Sequence, residues 1–154
     1  MKLENQVVSL DLAKKLKEFG VKQDSLFYWR LEYHTSESFD NGKSLGKEGI
    51  FSGEYELEYL PKPRFTTANV KWDQSDLDKI NETEISAFTS AELGELLPKA
   101  YMSFKNSIGD WYSEDLNEFI EPEYRSVIDT AKTEANARAK CLIYLLENNL
   151  IINN

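Results

Sequence analysis

Residues 26–33 read Leu26-Phe27-Tyr28-Trp29-Arg30-Leu31-Glu32-Tyr33. Taken alternately, Phe27, Trp29, Leu31 and Tyr33 fall on one side and Leu26, Tyr28, Arg30 and Glu32 on the other. A period of two in aromatic and aliphatic residues is the signature of a β-strand. The first side is wholly apolar and the second turns amphipathic at its end. Aromatic residues on both sides leave two readings open. Either this is a central strand covered on both faces, or its second face is an exposed aromatic surface.

The same period returns downstream. Tyr55, Leu57 and Tyr59 alternate with Glu54, Glu56 and Glu58, which predicts a half-buried strand. Pro61 and Pro63 end it, because proline has no N–H to give to a ladder. Residues 65–72 read as a further short strand. Between the two main strands, residues 35–53 are polar and carry Gly42, Gly46, Gly49 and Gly53. They are expected as a long polar surface loop, the alternative being a pair of strands joined at the turn signal Asn41-Gly42.

A sheet with an apolar face needs helices to cover it, and three segments have the spacing for that. Residues 7–19 place Leu12, Ala13, Leu16 and Phe19 on one stripe, with Ser9 as cap and Gly20 as stop. Lys14, Lys15 and Lys17 are expected to face water. Residues 90–97 carry the clearest start signal of the chain. Thr89 and Glu92 are spaced as a capping box, Phe88 and Leu93 as a hydrophobic staple, and Leu93, Leu96 and Leu97 are to face the core. Residues 134–147 follow the cap Thr133, with Ala135, Ala139, Leu142, Ile143 and Leu146 on one stripe. Cys141, Tyr144 and Leu145 widen that stripe. An arc so wide belongs either to a helix lodged between two layers or to one that meets a partner chain. Leu150-Ile151-Ile152 is expected to dock back on the body.

Residues 100–104 and 110–112 read as a hairpin turning at Asn106-Ser107-Ile108-Gly109. Residues 113–120 are acidic and expected to be helical, and residues 75–80 to form a helical turn or two. Strands and helices that do not alternate as βαβ units argue for α+β. The predicted architecture is a single α+β domain over residues 1–154, with a mostly antiparallel sheet of four or more strands, amphipathic helices and a long C-terminal helix.

Composition narrows the function. The chain has 154 residues, 18 Lys and Arg against 27 Asp and Glu, and a net charge of -9. Nucleic acid and anionic membrane both select a positive footprint, so neither is expected as a partner. No apolar run approaches the roughly 20 residues of a membrane span. The single cysteine, Cys141, excludes an intrachain disulfide. With no apolar leader at the N-terminus, it points to the cytoplasm.

Two segments, Ala87 to Pro98 and Thr133 to Asn148, together with Asn5 to Leu10 and the aromatic strand at Phe27 to Trp29, resemble small proteins encoded by bacteriophages and prophage-like elements of gut Bacteroidetes. The resemblance implies a bacterial, phage-infection setting. It brings no activity, cofactor or catalytic residue with it.

The chemistry-bearing residues are few. His34 is the only histidine and stands at the end of the aromatic strand. Cys141 sits mid-helix beside the apolar stripe, where burial rather than reactivity is expected. Two acidic groups, Asp73 to Glu84 and Asp110 to Glu123, have oxygen ligands to offer a divalent ion but not the spacing of a calcium loop. Gly42-Lys43-Ser44 lacks the earlier glycine of a phosphate loop, since position 37 is Glu37. No metal or other cofactor is expected.

The aromatics are the stronger signal, because tyrosine and tryptophan combine contact area with a polar handle. Tyr28, Trp29, Tyr33, His34, Trp72 and Trp111 are the candidate binding residues. The function expected is a non-enzymatic binding or protein-interaction module, with a protein partner or a second copy of the chain. The alternative is a small hydrolase-like or metal-dependent enzyme using clustered carboxylates.

Overall fold

A computed structural model describes residues 2–40, 43–59, 74–115 and 127–151. The aromatic segment is the first strand, β1 (Phe27–Asp40), paired antiparallel with β2 (Lys43–Tyr59). In place of the long loop expected near residues 35–53, the ladder runs on to Asp40 opposite Lys43. The strand pair was the right alternative. Its polar sequence carries the turn signal Asn41-Gly42, and its backbone pairs in register. A bulge between Arg30 and Glu32 shifts the register within the aromatic stretch.

On its other edge β1 pairs with the short β3 (Ile85–Ser86), so the order is β2-β1-β3 and β1 is central. The strand is thus central, as one of the two readings expected. The deeply buried side chains are Tyr28 and Arg30, whereas Phe27, Trp29 and Leu31 are half-buried. The face with the charged residue is thus the deeper one. That is tolerable because the Arg30 guanidinium meets Glu58 at 2.8 Å and Glu84 at 3.0 Å and lies 5.6 Å from the centre of the Tyr28 ring.

A second sheet contains β4 (Tyr101–Lys105), β5 (Trp111–Asp115) and β6 (Val127–Ala131), antiparallel in that order. The strands are therefore divided between two three-stranded sheets. The β4–β5 turn falls at the expected residues. Asn106 Oδ1 accepts from the amides of Ile108 and Asp110, and Gly109 adopts φ 92°. Residues 113–115, expected to open a helix, finish β5 instead. Backbone pairing of Ser113, Glu114 and Asp115 with β4 overrides the weak helical signal of the acids. The sixth strand was not anticipated. Its β-branched Val127, Ile128 and Thr130 are interrupted by Asp129, at φ 36°, which is the extra residue of a bulge opposite Tyr112 and Ser113.

The helices are α1 (Leu10–Glu18), α2 (Gln74–Thr83), α3 (Ser90–Leu96) and α4 (Glu134–Glu147). Thr89 and Glu92 form the complete capping box, and Thr133 Oγ1 accepts from the Asn136 amide at the start of α4. Ser9 precedes α1 but makes no side-chain cap bond. Its amide donates instead to Asn136 Oδ1 of α4, at 2.8 Å. Lys17, expected to face water, reaches the backbone oxygens of Glu82 and Glu84 just past α2. It ties the C-terminal end of that helix to α1.

Helix α4 is the centre of the core. Ala135, Ala137, Ala139, Cys141, Leu142, Ile143 and Leu145 are all buried. At 3.6 residues per turn they cover roughly two thirds of its circumference. Helices α1 and α3 pack on it from one side and the second sheet from the other, as the wide arc suggested for a helix between layers. Val8, Leu16, Ile85, Phe88 and Leu93 belong to the same cluster as the α4 residues, with Trp29, Tyr55 and Tyr101 packed against it. Gly94 leaves room for the Arg138 guanidinium, whose Nη1 a Cβ there would meet. Three expected core residues face outward, Phe19, Leu96 and Leu150, the last 59% exposed. Ile151 packs on the core. The segments predicted at 65–72 and 116–120, and Ile152, lie outside the described residues.

Candidate functional site

The six aromatic and histidine candidates do not converge. The Tyr28 hydroxyl donates to the Gln23 carbonyl and accepts from the Ser25 amide, inside the core. Trp29 Nε1 donates to the Val8 carbonyl at 3.1 Å, which ties the strand to the N-terminal segment. Both polar handles are consumed by the fold. Tyr33 and His34 occupy consecutive positions of β1, opposite Phe51 and Ile50. Trp72 lies outside the described residues. Trp111 opens β5 in the other sheet, so no groove joins it to Tyr28.

Trp111 does line a concavity of about 700 Å³, within the range of small-ligand sites. One wall is the paired ends of β4 and β5, Lys105 and Trp111, with the lysine Nζ 5.9 Å from the indole centre. A second wall is the start of α4, Lys132 to Ala135. A third is Thr89 to Ala91 at the start of α3, and Asn5 and Gln6 complete the rim. The isolated bridge between Val7 and Thr89 holds the N-terminal segment beside α3. Capping chemistry, which fixes where each helix begins, therefore also shapes the walls.

The charges of the lining are mostly committed. Glu134 pairs with Arg138 at 2.7 Å, and Arg138 Nη1 also donates to the Ser90 carbonyl. Lys132 meets Asp110 at 2.6 Å. Lys105 has no ion pair among the described residues, and Trp111 Nε1 has no hydrogen-bond acceptor among them. The hydroxyls of Thr89 and Thr133 serve the caps. Among the described lining residues there is no histidine or cysteine, and the carboxylate, Glu134, is paired with Arg138.

Cys141 is buried, as expected, and its thiol is pushed up to about 12 by burial and by the nearby Asp115 carboxylate. Tyr101 is pushed up to about 12 by burial first and then by Asp115, to which it is hydrogen-bonded. Neither group is activated as a nucleophile or base. The two acidic groups disperse. Glu84 joins Arg30, Asp110 joins Lys132, and Asp78 and Glu82 are exposed; Asp73, Glu118, Glu121 and Glu123 lie outside the described residues. Among the described residues no group of three or more histidines, cysteines or carboxylates is placed to hold a metal ion. None of the helices described is long and apolar enough to cross a membrane.

Lys105, Lys132, Ser90 and Glu134 escaped the sequence reading as site residues. They come from separate segments, and the only local signal among the site's components was the tryptophan. The chain matches no family model, and no curated protein or solved structure is similar to it.

Proposed function

We propose that this protein is a non-enzymatic binding module that takes its ligand in the cleft between α3, α4 and the β4–β5 hairpin. The observation that carries the proposal is the contrast between its two described tryptophans. Trp29 spends its N–H on the fold, whereas Trp111 stands half-buried on a cleft wall with its N–H unspent. Large rings with a free donor are efficient contact anchors. The lining offers contact area and hydrogen-bonding groups but no carboxylate–histidine or nucleophile–base pair. The reduced, buried Cys141 supports a cytoplasmic setting, and the resemblance of the capped helices to phage and prophage proteins supports a bacterial host.

The test is a fragment screen read by amide and indole chemical shifts of the 15N-labelled protein. Responses are expected to gather at the Trp111 indole, Lys105, Ala91 and Ala135, and to vanish in Trp111→Ala with the fold retained. Responses centred on the outer face of β4 and β5, at Met102 and Tyr112, would contradict the assignment of the site.

A further inference from the structure

The charge of this cleft is opposite to that of the molecule, and this bears on what it binds. The chain carries nine more acidic than basic groups. The charged lining residues are Lys105, Lys132 and Glu134. Glu134 is held by Arg138 at 2.7 Å, and Lys132 shares Asp110, which is only 15% exposed. Lys105 is left as an uncommitted cation beside the ring face of Trp111. A positive group above the face of an indole offers two kinds of contact at adjacent points. The ring attracts a flat aromatic surface, and the ammonium attracts an anion.

Resting on the reading of the cleft as a binding site, we propose that its ligand is a small planar anion, an aromatic ring bearing a phosphate or carboxylate group. The ring packs against the Trp111 indole, the anionic group meets Lys105, and the indole N–H donates to an acceptor on the ring or its linker. A volume of about 700 Å³ admits a ring with a sugar-sized linker and an anionic end. The competing negative groups, Asp110 and Glu134, are already paired, so an incoming anion meets little uncompensated repulsion. In an otherwise acidic surface this gives discrimination as well as affinity.

The test is titration of the labelled protein with four probes: adenosine monophosphate, benzoate, adenosine and inorganic phosphate. The expected result is that at least one of the two ring-bearing anions shifts the Trp111 indole, Lys105 and Ala135 signals. It should bind about tenfold more tightly than adenosine or phosphate alone. Adenosine monophosphate against benzoate separates the two anionic groups. Lys105→Ala should weaken the anionic probe about tenfold relative to adenosine, and Trp111→Leu should weaken both. Two results would overturn the ligand class: adenosine binding as tightly as its monophosphate, or inorganic phosphate binding as tightly as either ring-bearing anion. If all four probes are silent while neutral fragments still move the cleft signals, the ligand class fails and the site survives. Silence of the cleft to probes and fragments alike removes both.

Discussion

Arg30 and Glu92 show how single polar residues hold this fold. The Arg30 side chain is 10% exposed and bridges Glu58 of β2 to Glu84 at the entry to β3. Removing one member of a buried ion network leaves the others desolvated, so Arg30→Met should lower stability by about 3 kcal/mol in urea unfolding. Glu92 does more than close its capping box. Its carboxylate also accepts from the Ser25 hydroxyl and the Leu26 amide, and so fastens α3 to the start of β1. Thr89→Ala should cost about 1 kcal/mol and Glu92→Ala roughly 2–3 kcal/mol, a difference that reports those extra bonds. The box itself was legible in the spacing of Thr89 and Glu92. Its second role was not, since Ser25 and Leu26 meet Glu92 only once the chain is folded. Cys141 and Tyr101 set the alkaline limit. Both keep their protons in the folded state up to about pH 12, against ordinary values of 9.0 and 10.0. Below pH 9 both states are protonated and the stability is intact. As pH rises from 9 towards 12 the unfolded chain ionises first, and stability is lost. Urea midpoints at pH 8 to 11 should fall, and the fall should be smaller in Cys141→Ala.

Elements with a strong period were read correctly, and those shaped by their neighbours were not. The bounds of α4 follow from Thr133 and from a stripe that repeats over four turns. The hairpin at residues 106–109 follows from its turn residues. Strand β6 was missed because five residues interrupted by Asp129 carry no period of their own. Its bulge is held by Lys140, which meets Asp129 at 2.7 Å and also donates to the Thr130 carbonyl. That lysine holds the Asp129 carboxyl below its usual range. Because Asp129 adopts positive φ, Asp129→Gly should be tolerated better than Asp129→Ala in thermal unfolding, where only alanine retains a strained backbone. Within α4, Leu145 is 1% exposed. Leu145→Ala should cost about 2–5 kcal/mol, whereas Leu150→Ala just beyond the helix should fall within about 0.5 kcal/mol. Similar losses at both positions would mean that the end of α4 is packed differently.

At the scale of the molecule, α4 is the element on which α1, α3 and the second sheet all pack. Sequence periodicity showed that its apolar arc was too wide for one layer, and the structure supplies the second layer as another sheet of the same chain. The fold class was therefore legible, while the division of the six described strands into two sheets was not, because pairing partners are chosen by tertiary packing. The cleft was legible least of all. It exists where the starts of α3 and α4 meet the base of a hairpin, and no stretch of sequence contains it. Its walls come from the N-terminal segment, α3, the β4–β5 hairpin and α4, so the proposed site requires that these elements form one cooperative unit around α4. Native-state hydrogen exchange in a series of low urea concentrations tests that requirement most directly. The account predicts that amides of Ala139 to Leu145 in α4, Tyr28 to Arg30 in β1 and Ser113 in β5 open with one shared free energy and one shared urea dependence. Separate opening free energies for the two sheets, or α4 amides exchanging at the rate of a free chain, would contradict it.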